Sequence, residues 1–161
     1  MTYKVVVEGG YLRFGASHFI TMGGKCERLH GHNYDVAASV EGALGADSYV
    51  FDFVELKHTL RDICDVLDHR FLLPLNNPHL QLQQCDNHWE INFGDRRYVF
   101  PGRDVQPLPV DNVTAERLAE YIWGELADRL LRAECADGRQ MTVSIGVAEA
   151  PGQTAWFTQA L

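Results

Sequence analysis

The segment that decides the fold is His30-Gly31-His32-Asn33-Tyr34-Asp35-Val36-Ala37-Ala38-Ser39-Val40-Glu41-Gly42. Apolar and polar side chains alternate along it, which predicts a long strand that buries one of its faces. In a strand, side chains two positions apart point to the same face, so His30 and His32 are expected to lie side by side at its start. The buried positions are expected to be Tyr34, Val36, Ala38 and Val40.

The residues before this segment also favour extended structure. Tyr3 to Glu8 is rich in β-branched side chains, and the extended pattern resumes from Tyr11 to Phe19 after two glycines. The glycines are expected to bend the chain or to host a bulge, so this part forms either one strand or a pair. Residues 20–29 contain two further glycines and several charges, and are predicted to form a loop.

Two later segments have the periodicity of amphipathic helices. From Val54 to Asp68 the apolar residues recur at helical spacing, and Asp52 followed by Glu55 is typical of a capping box at a helix start. A second helix is predicted to begin near Thr114, a residue type favoured at the N-cap. The apolar positions are Leu56, Leu60, Ile63, Cys64 and Leu67 in the first helix, and Leu118, Ala119, Ile122, Trp123, Leu126 and Leu130 in the second.

The stretch 78–109 separates the two helices and is predicted to be an insertion. Within it, residues 89–100 alternate about a central glycine, which predicts a β-hairpin around residues 88–101 flanked by polar and proline-containing connectors. After the second helix, Met141 to Glu149 and Thr154 to Thr158 are predicted to pair as strands. This order of elements predicts an antiparallel α+β fold with the helices on one face of the sheet.

Composition narrows the classes of partner. The chain has 161 residues, of which 46% are hydrophobic, enough for a sizeable core in one domain. Its 14 basic and 22 acidic residues give a formal charge of -8, which argues against nucleic acid or an anionic membrane and favours a small molecule. With no signal core or transmembrane run, a cytoplasmic location is expected. The cysteines form no Cys-x-x-Cys pair and are expected to be free thiols: Cys26, Cys64, Cys85 and Cys135.

The histidines of the long strand suggest a metal site. His30 and His32 can converge on one ion, and Gly31 between them avoids crowding. His18 can supply a third imidazole if its segment is an antiparallel neighbour of the long strand. Three imidazoles with a fourth position open are typical of catalytic Zn²⁺, although the ligand type also suits copper or nickel. Spacing alone is also consistent with no metal site. In that case His18 is an ordinary strand histidine and the His-Gly-His motif occurs by chance.

Several short motifs occur along the chain in the order found in a known enzyme family. They are Phe14-Gly15-Ala16-Ser17-His18, Cys26-Glu27-Arg28-Leu29-His30-Gly31-His32-Asn33-Tyr34, Asp52-Phe53, Leu67-Asp68-His69, Thr114-Ala115-Glu116 and a late Glu149. Together they resemble the 6-pyruvoyltetrahydropterin synthase and 6-carboxytetrahydropterin synthase family over nearly the whole chain.

This resemblance implies a single domain over residues 1–161 with the tunnelling fold. In that fold a four-stranded antiparallel sheet, with two helices on one face, assembles into a homo-oligomer, either a trimer or a hexamer. The resemblance also implies that His18, His30 and His32 hold zinc. The implied substrate is a 7,8-dihydropterin with a hydroxylated side chain, typically 7,8-dihydroneopterin triphosphate, bound between subunits.

The resemblance also implies roles for residues near the metal. Cys26 matches the catalytic cysteine and is expected to act as general base, with its pKa lowered by the metal and by the basic residues Lys25 and Arg28. Asp68 and His69 match an Asp-His pair, in which the carboxylate orients an imidazole that exchanges protons. Without the family, Cys26 would be an inert thiol and His69 a histidine at a helix C-terminus.

A second group of matched residues is expected to bind the pterin. Glu149 is at the position of the pterin anchor, where a carboxylate accepts two parallel hydrogen bonds from the ring. Thr114 and Glu116 match residues at a helix start near the pterin, although helix capping explains Thr114 equally well.

The motifs leave the reaction open. The spacing from Cys26 to His30 resembles that of the synthases that form 6-carboxy-5,6,7,8-tetrahydropterin for queuosine biosynthesis, and 6-pyruvoyltetrahydropterin is the other synthase product. Glu27 resembles the glutamate that replaces the cysteine in a branch that cleaves dihydroneopterin to 6-hydroxymethyldihydropterin, a folate precursor. A non-catalytic pterin-binding protein and a zinc hydrolase unrelated to pterins are the contrasting hypotheses.

Overall fold

The computed structural model describes residues 1–131 and 138–161. The side chain of Leu130, predicted above to lie on the second helix, and the whole of Cys135 fall outside the described part. Within the described ranges, no helix is long and apolar enough to span a membrane.

The described residues form two α-helices and a series of strands. Helix α1 spans Phe53–Leu67, and helix α2 spans Ala115–Leu126 and continues as a π-helical turn over Ala127–Leu131. The strands are β1 (Tyr3–Val7), β2 (Arg13–His18), β3 (Thr21–Met22), β4 (Lys25–Cys26), β5 (His30–Gly42), β6 (Arg70–Pro74), β7 (Gln81–Gln84), β8 (His88–Phe93), β9 (Arg96–Pro101), β10 (Val105–Leu108), β11 (Met141–Ala150) and β12 (Gln153–Ala160).

The main sheet is built around β5. Strand β11 pairs with one edge of β5, and β1 and β2 lie in line along the other edge, all antiparallel to it. Strand β12 follows β11, whereas β6 and β10 extend the sheet beyond β2 as parallel strands. The break between β1 and β2 falls at Gly9 and Gly10, which have φ angles of 76° and 62°. Glycine adopts these positive angles without steric cost, so of the two alternatives expected, one strand or a pair, the structure contains the pair.

The sheet is larger than the four antiparallel strands expected. Strands β2, β5, β11 and β12 match that expectation, but β1, β6 and β10 bring the sheet to seven strands within the described residues. Most of β6 is buried, so its sequence is a continuous apolar run rather than an alternating one. Strand β10 contains Pro107, which is tolerated because β10 lies at the edge of the sheet.

Both helices cover one face of the main sheet, as predicted. Asp52 caps α1 by accepting hydrogen bonds from the backbone N–H groups of Val54 (2.6 Å) and Glu55 (3.2 Å). Thr114 caps α2 by accepting from the N–H of Arg117 at 3.3 Å. The predicted apolar faces of the helices are buried against the sheet: Leu56, Leu60, Ile63, Cys64 and Leu67 from α1, and Leu118, Ala119, Ile122, Trp123 and Leu126 from α2.

The stretch between β6 and β10 forms a second, smaller sheet. Strands β8 and β9 form a hairpin where one was expected, turning at Gly94 and Asp95. Strand β7 pairs with the other edge of β8. The sequence Gln-Leu-Gln-Gln of β7 lacks the apolar alternation that signals a strand, so this element was not predicted.

The apolar face of the small sheet packs against the main sheet. Phe100 stacks on Phe71 with ring centroids 4.4 Å apart, and the ring of Tyr98 lies 5.2 Å from that of Phe19. We call the buried residues of this contact the insertion cluster: Phe19, Cys26, Phe71, Leu73, Ile91 and Val105.

The predicted loop 20–29 contains a small hairpin. Strands β3 and β4 are joined by Gly23 and Gly24, with φ angles of 57° and 74°. Two residues with positive φ are typical of a tight hairpin turn. The hairpin places Cys26 opposite Thr21, at the border of the insertion cluster.

Strands β2 and β5 approach each other closely at Gly31. In their register, His18 lies directly opposite His30, and Ala16 lies opposite His32. A Cβ atom at Gly31 would lie 2.8 Å from the carbonyl oxygen of Ala16, closer than such atoms approach in folded proteins. Because the obstructing atom belongs to the backbone, a larger residue at this position would push the two strands apart.

Replacing Gly31 by alanine is therefore expected to lower the free energy of unfolding by about 1–3 kcal/mol, the usual cost of overpacking. Gly124→Ala is the matched control, because a Cβ at this position of α2 meets no atom within 4 Å and alanine favours helix over glycine. Urea denaturation measures both variants. Equal stability of the two would contradict the close approach of the strands.

Candidate functional site

The three predicted metal ligands converge at one end of β2 and β5. The Nε2 atoms of His18 and His30 are 3.2 Å apart, close to the separation of about 3.3 Å that two nitrogens have on a tetrahedral zinc ion. His32 completes the group, since one ligand atom from each of the three residues lies within 4.8 Å of the others. The strand register of β2 and β5 produces this convergence.

Backbone carbonyls hold the other ring nitrogens of two ligands. The Nδ1 atom of His18 lies 2.8 Å from the carbonyl oxygen of Val113, and Nδ1 of His30 lies 2.8 Å from that of Arg28. A carbonyl only accepts, so each Nδ1 carries the proton and each Nε2 keeps a free lone pair. Histidines that bind zinc are oriented in this way, so the donor set fits Zn²⁺.

Burial favours the neutral form of His18. The side chain is fully buried, and this burial lowers its pKa to about 4. The hydrogen bond to Val113 raises the pKa, whereas the nearby His30 and His32 lower it further. The negative charge of Glu27 also raises it. A neutral imidazole is the form that binds a metal ion.

A polar network positions the Val113 carbonyl that holds His18. The side-chain oxygen of Asn112 accepts from the N–H of Val113 at 3.1 Å, and its amide donates to the carbonyl of Thr21 at 2.8 Å. Asn77 donates to the hydroxyl of Thr21 at 2.7 Å. The network thereby connects the start of α2 to His18. It was not predicted, because no sequence pattern indicates that Asn77 and Asn112 lie near Thr21 and His18 in the fold.

Tyr34 lies beside the triad, and Glu149 lies near Tyr34. The hydroxyl of Tyr34 is fully buried and lies 3.3 Å from both ring nitrogens of His18. Burial, together with the charge of Glu149, raises the pKa of Tyr34, so the hydroxyl keeps its proton. Glu149 lies at a bulge of β11, and its Oε1 atom is buried without a hydrogen-bond partner in the described part of the chain. This oxygen is available to a donor on a ligand.

Asp68 and His69 follow α1 and are held against β2. The Nδ1 atom of His69 lies 2.7 Å from Oδ2 of Asp68, whose Oδ1 accepts from the N–H of Gly15 at 2.7 Å. Adjacent residues can make this contact because His69 has a φ of 55°, uncommon for a residue other than glycine. His69 is highly exposed and lines a cleft of about 970 Å³ together with His32. The cleft connects the Asp-His pair to the triad.

Cys26 packs in the insertion cluster and is only 6% exposed. Burial raises the pKa of its thiol, and the charge of Arg96 opposes this effect. Arg96, rather than the expected Lys25 and Arg28, is the basic residue that lowers the pKa of the thiol. The Sγ atom lies 3.5 Å from the carbonyl oxygen of Glu27. A buried thiol with a raised pKa carries little thiolate at neutral pH.

Arg96, at the tip of the β8–β9 hairpin, holds the segment that carries Cys26 and Glu27. Its Nη1 atom donates to the carbonyl oxygens of Cys26 at 2.8 Å and Glu27 at 3.0 Å. The Glu27 side chain is exposed. The role of Arg96 was not predicted, because the sequence of a hairpin does not reveal which distant segment its end will contact.

Thr114 and Glu116 lie at the start of α2, near the triad. Thr114 follows Val113 directly and serves as the N-cap of the helix. Glu116 is exposed in the first turn. In the described residues, neither side chain has a hydrogen bond to another predicted site residue, so their expected contact with a pterin stays a prediction.

Known proteins match both the sequence and the structure. The family described as 6-pyruvoyl tetrahydropterin synthase matches residues 11–160. A putative 6-carboxy-5,6,7,8-tetrahydropterin synthase of Methanocaldococcus jannaschii is 34% identical over 151 residues, which cover 93% of this chain and 91% of that protein. The crystal structure of 6-pyruvoyl tetrahydropterin synthase from Plasmodium vivax has a TM-score of 0.94 and 31% identity, covering 100% of this chain and 99% of that one.

A second Plasmodium vivax structure carries alanine in place of a glutamate described as a catalytic residue. It has a TM-score of 0.93 and 30% identity, and covers 100% of this chain and 99% of that chain. The α+β fold, with two helices on a curled sheet, and the histidine cluster define a lyase of the tetrahydropterin synthase type. The chain belongs to the 6-pyruvoyl tetrahydropterin synthase family, which confirms the family that the motifs indicate.

Replacing Arg96 by alanine removes both hydrogen bonds to the segment that carries Cys26 and Glu27. Loss of a hydrogen bond typically lowers stability by about 1 kcal/mol. Local opening of this segment should become easier by that amount, so backbone amides of residues 20–29 are expected to exchange hydrogen about fivefold faster. Hydrogen-exchange mass spectrometry measures this rate. Arg103→Ala is the control, because Arg103 is 88% exposed and its recorded ion pair is with the adjacent Asp104. The same exchange rate in both variants would contradict the tether.

Proposed function

We propose that this chain is a zinc-dependent lyase that acts on 7,8-dihydroneopterin triphosphate and forms 6-carboxy-5,6,7,8-tetrahydropterin, as in queuosine biosynthesis. The proposal rests on the triad of His18, His30 and His32, whose ligand atoms lie within 4.8 Å of one another beside a cleft that also holds the Asp68-His69 pair. The name of the Methanocaldococcus jannaschii relative supports this product. Formation of 6-pyruvoyltetrahydropterin uses the same substrate and is the other synthase outcome.

The recognition of the pterin is assigned to Glu149. Its buried Oε1 lacks a donor among the described residues, and a pterin offers two parallel donors, the 2-amino group and the ring N3–H. Because a carboxylate can accept both, binding would satisfy an oxygen whose desolvation otherwise costs about 1–3 kcal/mol. Thr114 and Glu116 would line the same side of the site, at the start of α2.

The metal half of the site is assigned to the three histidines. When bound there, zinc would act as a Lewis acid toward the side-chain hydroxyls of the substrate. The hydrogen bonds from His18 to Val113 and from His30 to Arg28 hold two of the rings in place before the substrate arrives. The buried Tyr34 hydroxyl excludes water from the inner side of His18.

Proton transfer in the cleft is assigned to His69, with Asp68 as its positioning residue. Because Nδ1 of His69 faces Asp68, Nε2 is the atom left to exchange a proton with the substrate. Burial tends to raise the pKa of Asp68, but hydrogen bonds from Gly15 and His69 lower it below its ordinary value. Asp68 is therefore ionised at neutral pH, and its Oδ2 orients the ring of His69 through Nδ1.

The synthase reaction and the cleavage of dihydroneopterin differ in the residue that would act as base toward the substrate side chain. Cys26 is proposed for the synthase reaction, which requires its buried thiol to turn toward the triad. The carboxylate of Glu27 is exposed, unlike the thiol of the adjacent Cys26, and this favours a second candidate function, cleavage of dihydroneopterin to 6-hydroxymethyldihydropterin with Glu27 as base. A catalytic glutamate in the Plasmodium vivax relative supports this alternative.

Purified protein loaded with zinc is expected to convert 7,8-dihydroneopterin triphosphate to 6-carboxy-5,6,7,8-tetrahydropterin, detected by mass spectrometry. Chelation should abolish turnover and added zinc should restore it, because the ion is the Lewis acid of the proposed reaction. Light scattering on the same sample is expected to give three or six chains per particle. Pterin binding without product would indicate a binding protein, and hydrolysis of simple esters or phosphates a zinc hydrolase. Either result would contradict the proposal.

Single substitutions separate the two candidate bases. Cys26→Ala is expected to reduce the 6-carboxy product at least about 100-fold and to spare cleavage of dihydroneopterin, whereas Glu27→Gln should do the reverse, because a general base contributes about 10²–10⁴-fold. Cys64→Ala, which removes a buried thiol from α1, should change neither product. If both products survive each substitution, neither residue is the base.

A further inference from the structure

The small sheet carries a second group of metal-ligating side chains. Cys85, His88 and Glu90 each offer one ligand atom, and these atoms all lie within 4.8 Å of one another. Trp89 and Ile91 pack against the insertion cluster, so the alternation of β8 places His88 and Glu90 on the opposite face of the small sheet. We call these three residues the hairpin triad. The hairpin triad is separate from the triad of His18, His30 and His32.

The turn between β7 and β8 brings the hairpin triad together. The N–H of Cys85 donates to the carbonyl of His88 at 2.9 Å, so the two residues close the turn as cross-strand neighbours. Glu90 lies two residues beyond His88 in β8 and therefore shares its face. The site depends only on this local pairing, within six consecutive residues of the chain.

Neighbouring side chains orient two of the three ligands. The Nδ1 atom of His88 lies 2.9 Å from the side-chain oxygen of Asn87, and its Nε2 faces Oε1 of Glu90 at 3.4 Å. Arg97 donates to both carboxylate oxygens of Glu90, at 2.8 Å and 3.2 Å. Partners of this kind orient metal ligands in proteins.

The ion pair with Arg97 leaves room for a metal ion. An ionised carboxylate has about four acceptor positions, and Arg97 occupies two of them. One thiolate, one imidazole and one carboxylate form a mixed ligand set that suits zinc and disfavours magnesium or calcium, which take oxygen ligands.

We propose that Cys85, His88 and Glu90 bind a second divalent ion of the zinc class, with water as the fourth ligand. The ion would fasten β7 to β8 in the same small sheet whose other hairpin carries Arg96. This site does not depend on the proposed lyase reaction, and it contains sulfur, which the three histidines lack. The two sites can therefore be measured separately.

Cobalt titration of the metal-free full chain tests the second site. The wild-type protein is expected to bind two equivalents of Co²⁺ and to develop a sulfur-to-cobalt charge-transfer absorption band. Cys85→Ser should bind one equivalent and lose the band. His88→Gln should also bind one equivalent, and it keeps the test informative if Cys85→Ser does not fold, as judged by circular dichroism.

Two control variants separate this result from the first site. Cys26→Ser should keep both equivalents and the band, and His30→Ala should lose one equivalent but keep the band. One equivalent without the band in the wild-type protein, a band that survives in Cys85→Ser, or a band that is lost in Cys26→Ser would overturn the second site. None of these outcomes requires turnover, so they are independent of the lyase proposal.

Discussion

The register between β2 and β5 is the constraint on which the rest of the site depends. It sets His18 opposite His30 and brings His32 alongside on the same face. A slip of one residue would turn His18 to the other face of the sheet and would also expose the buried Phe14. The hydrophobic core thus specifies the position of the histidine triad, because the alternation that buries the apolar side chains also orients the imidazoles. The missing side chain of Gly31 lets the two strands come close enough.

Two polar side chains near this pair of strands, His18 and Glu149, have buried atoms. Fully burying His18 disfavours its charged form, and the carbonyl of Val113 compensates by accepting its Nδ1–H. The neutral ring that results is ready for a cation, so the positive charge of the site would come from the ion. Glu149 shows the opposite situation, since one oxygen is buried without a donor. An unpaired buried acceptor costs free energy in the free protein and becomes favourable when a ligand supplies the donor.

The sequence predicted the parts of the structure that depend on local patterns. The alternation of β5, the caps at Asp52 and Thr114 and the faces of both helices follow from short-range rules, and the structure contains them. Strand β10 was missed because Pro107 argues against a strand unless its edge position is known. The contact between Asp68 and His69 depends on a left-handed φ that a histidine does not signal. The burial of Cys26 could not be predicted either, because it depends on the packing of the distant small sheet.

The small sheet connects the core to the candidate site. Its aromatic face buries Cys26, and Arg96 at its tip holds the segment that carries Glu27. The central proposal is a zinc ion at the three histidines, and anomalous diffraction at the zinc edge from zinc-loaded crystals tests it most directly. We predict a peak bonded to Nε2 of His18, His30 and His32 at about 2.0–2.1 Å. No peak at the triad, or a peak bonded to Nδ1 atoms, would contradict the account.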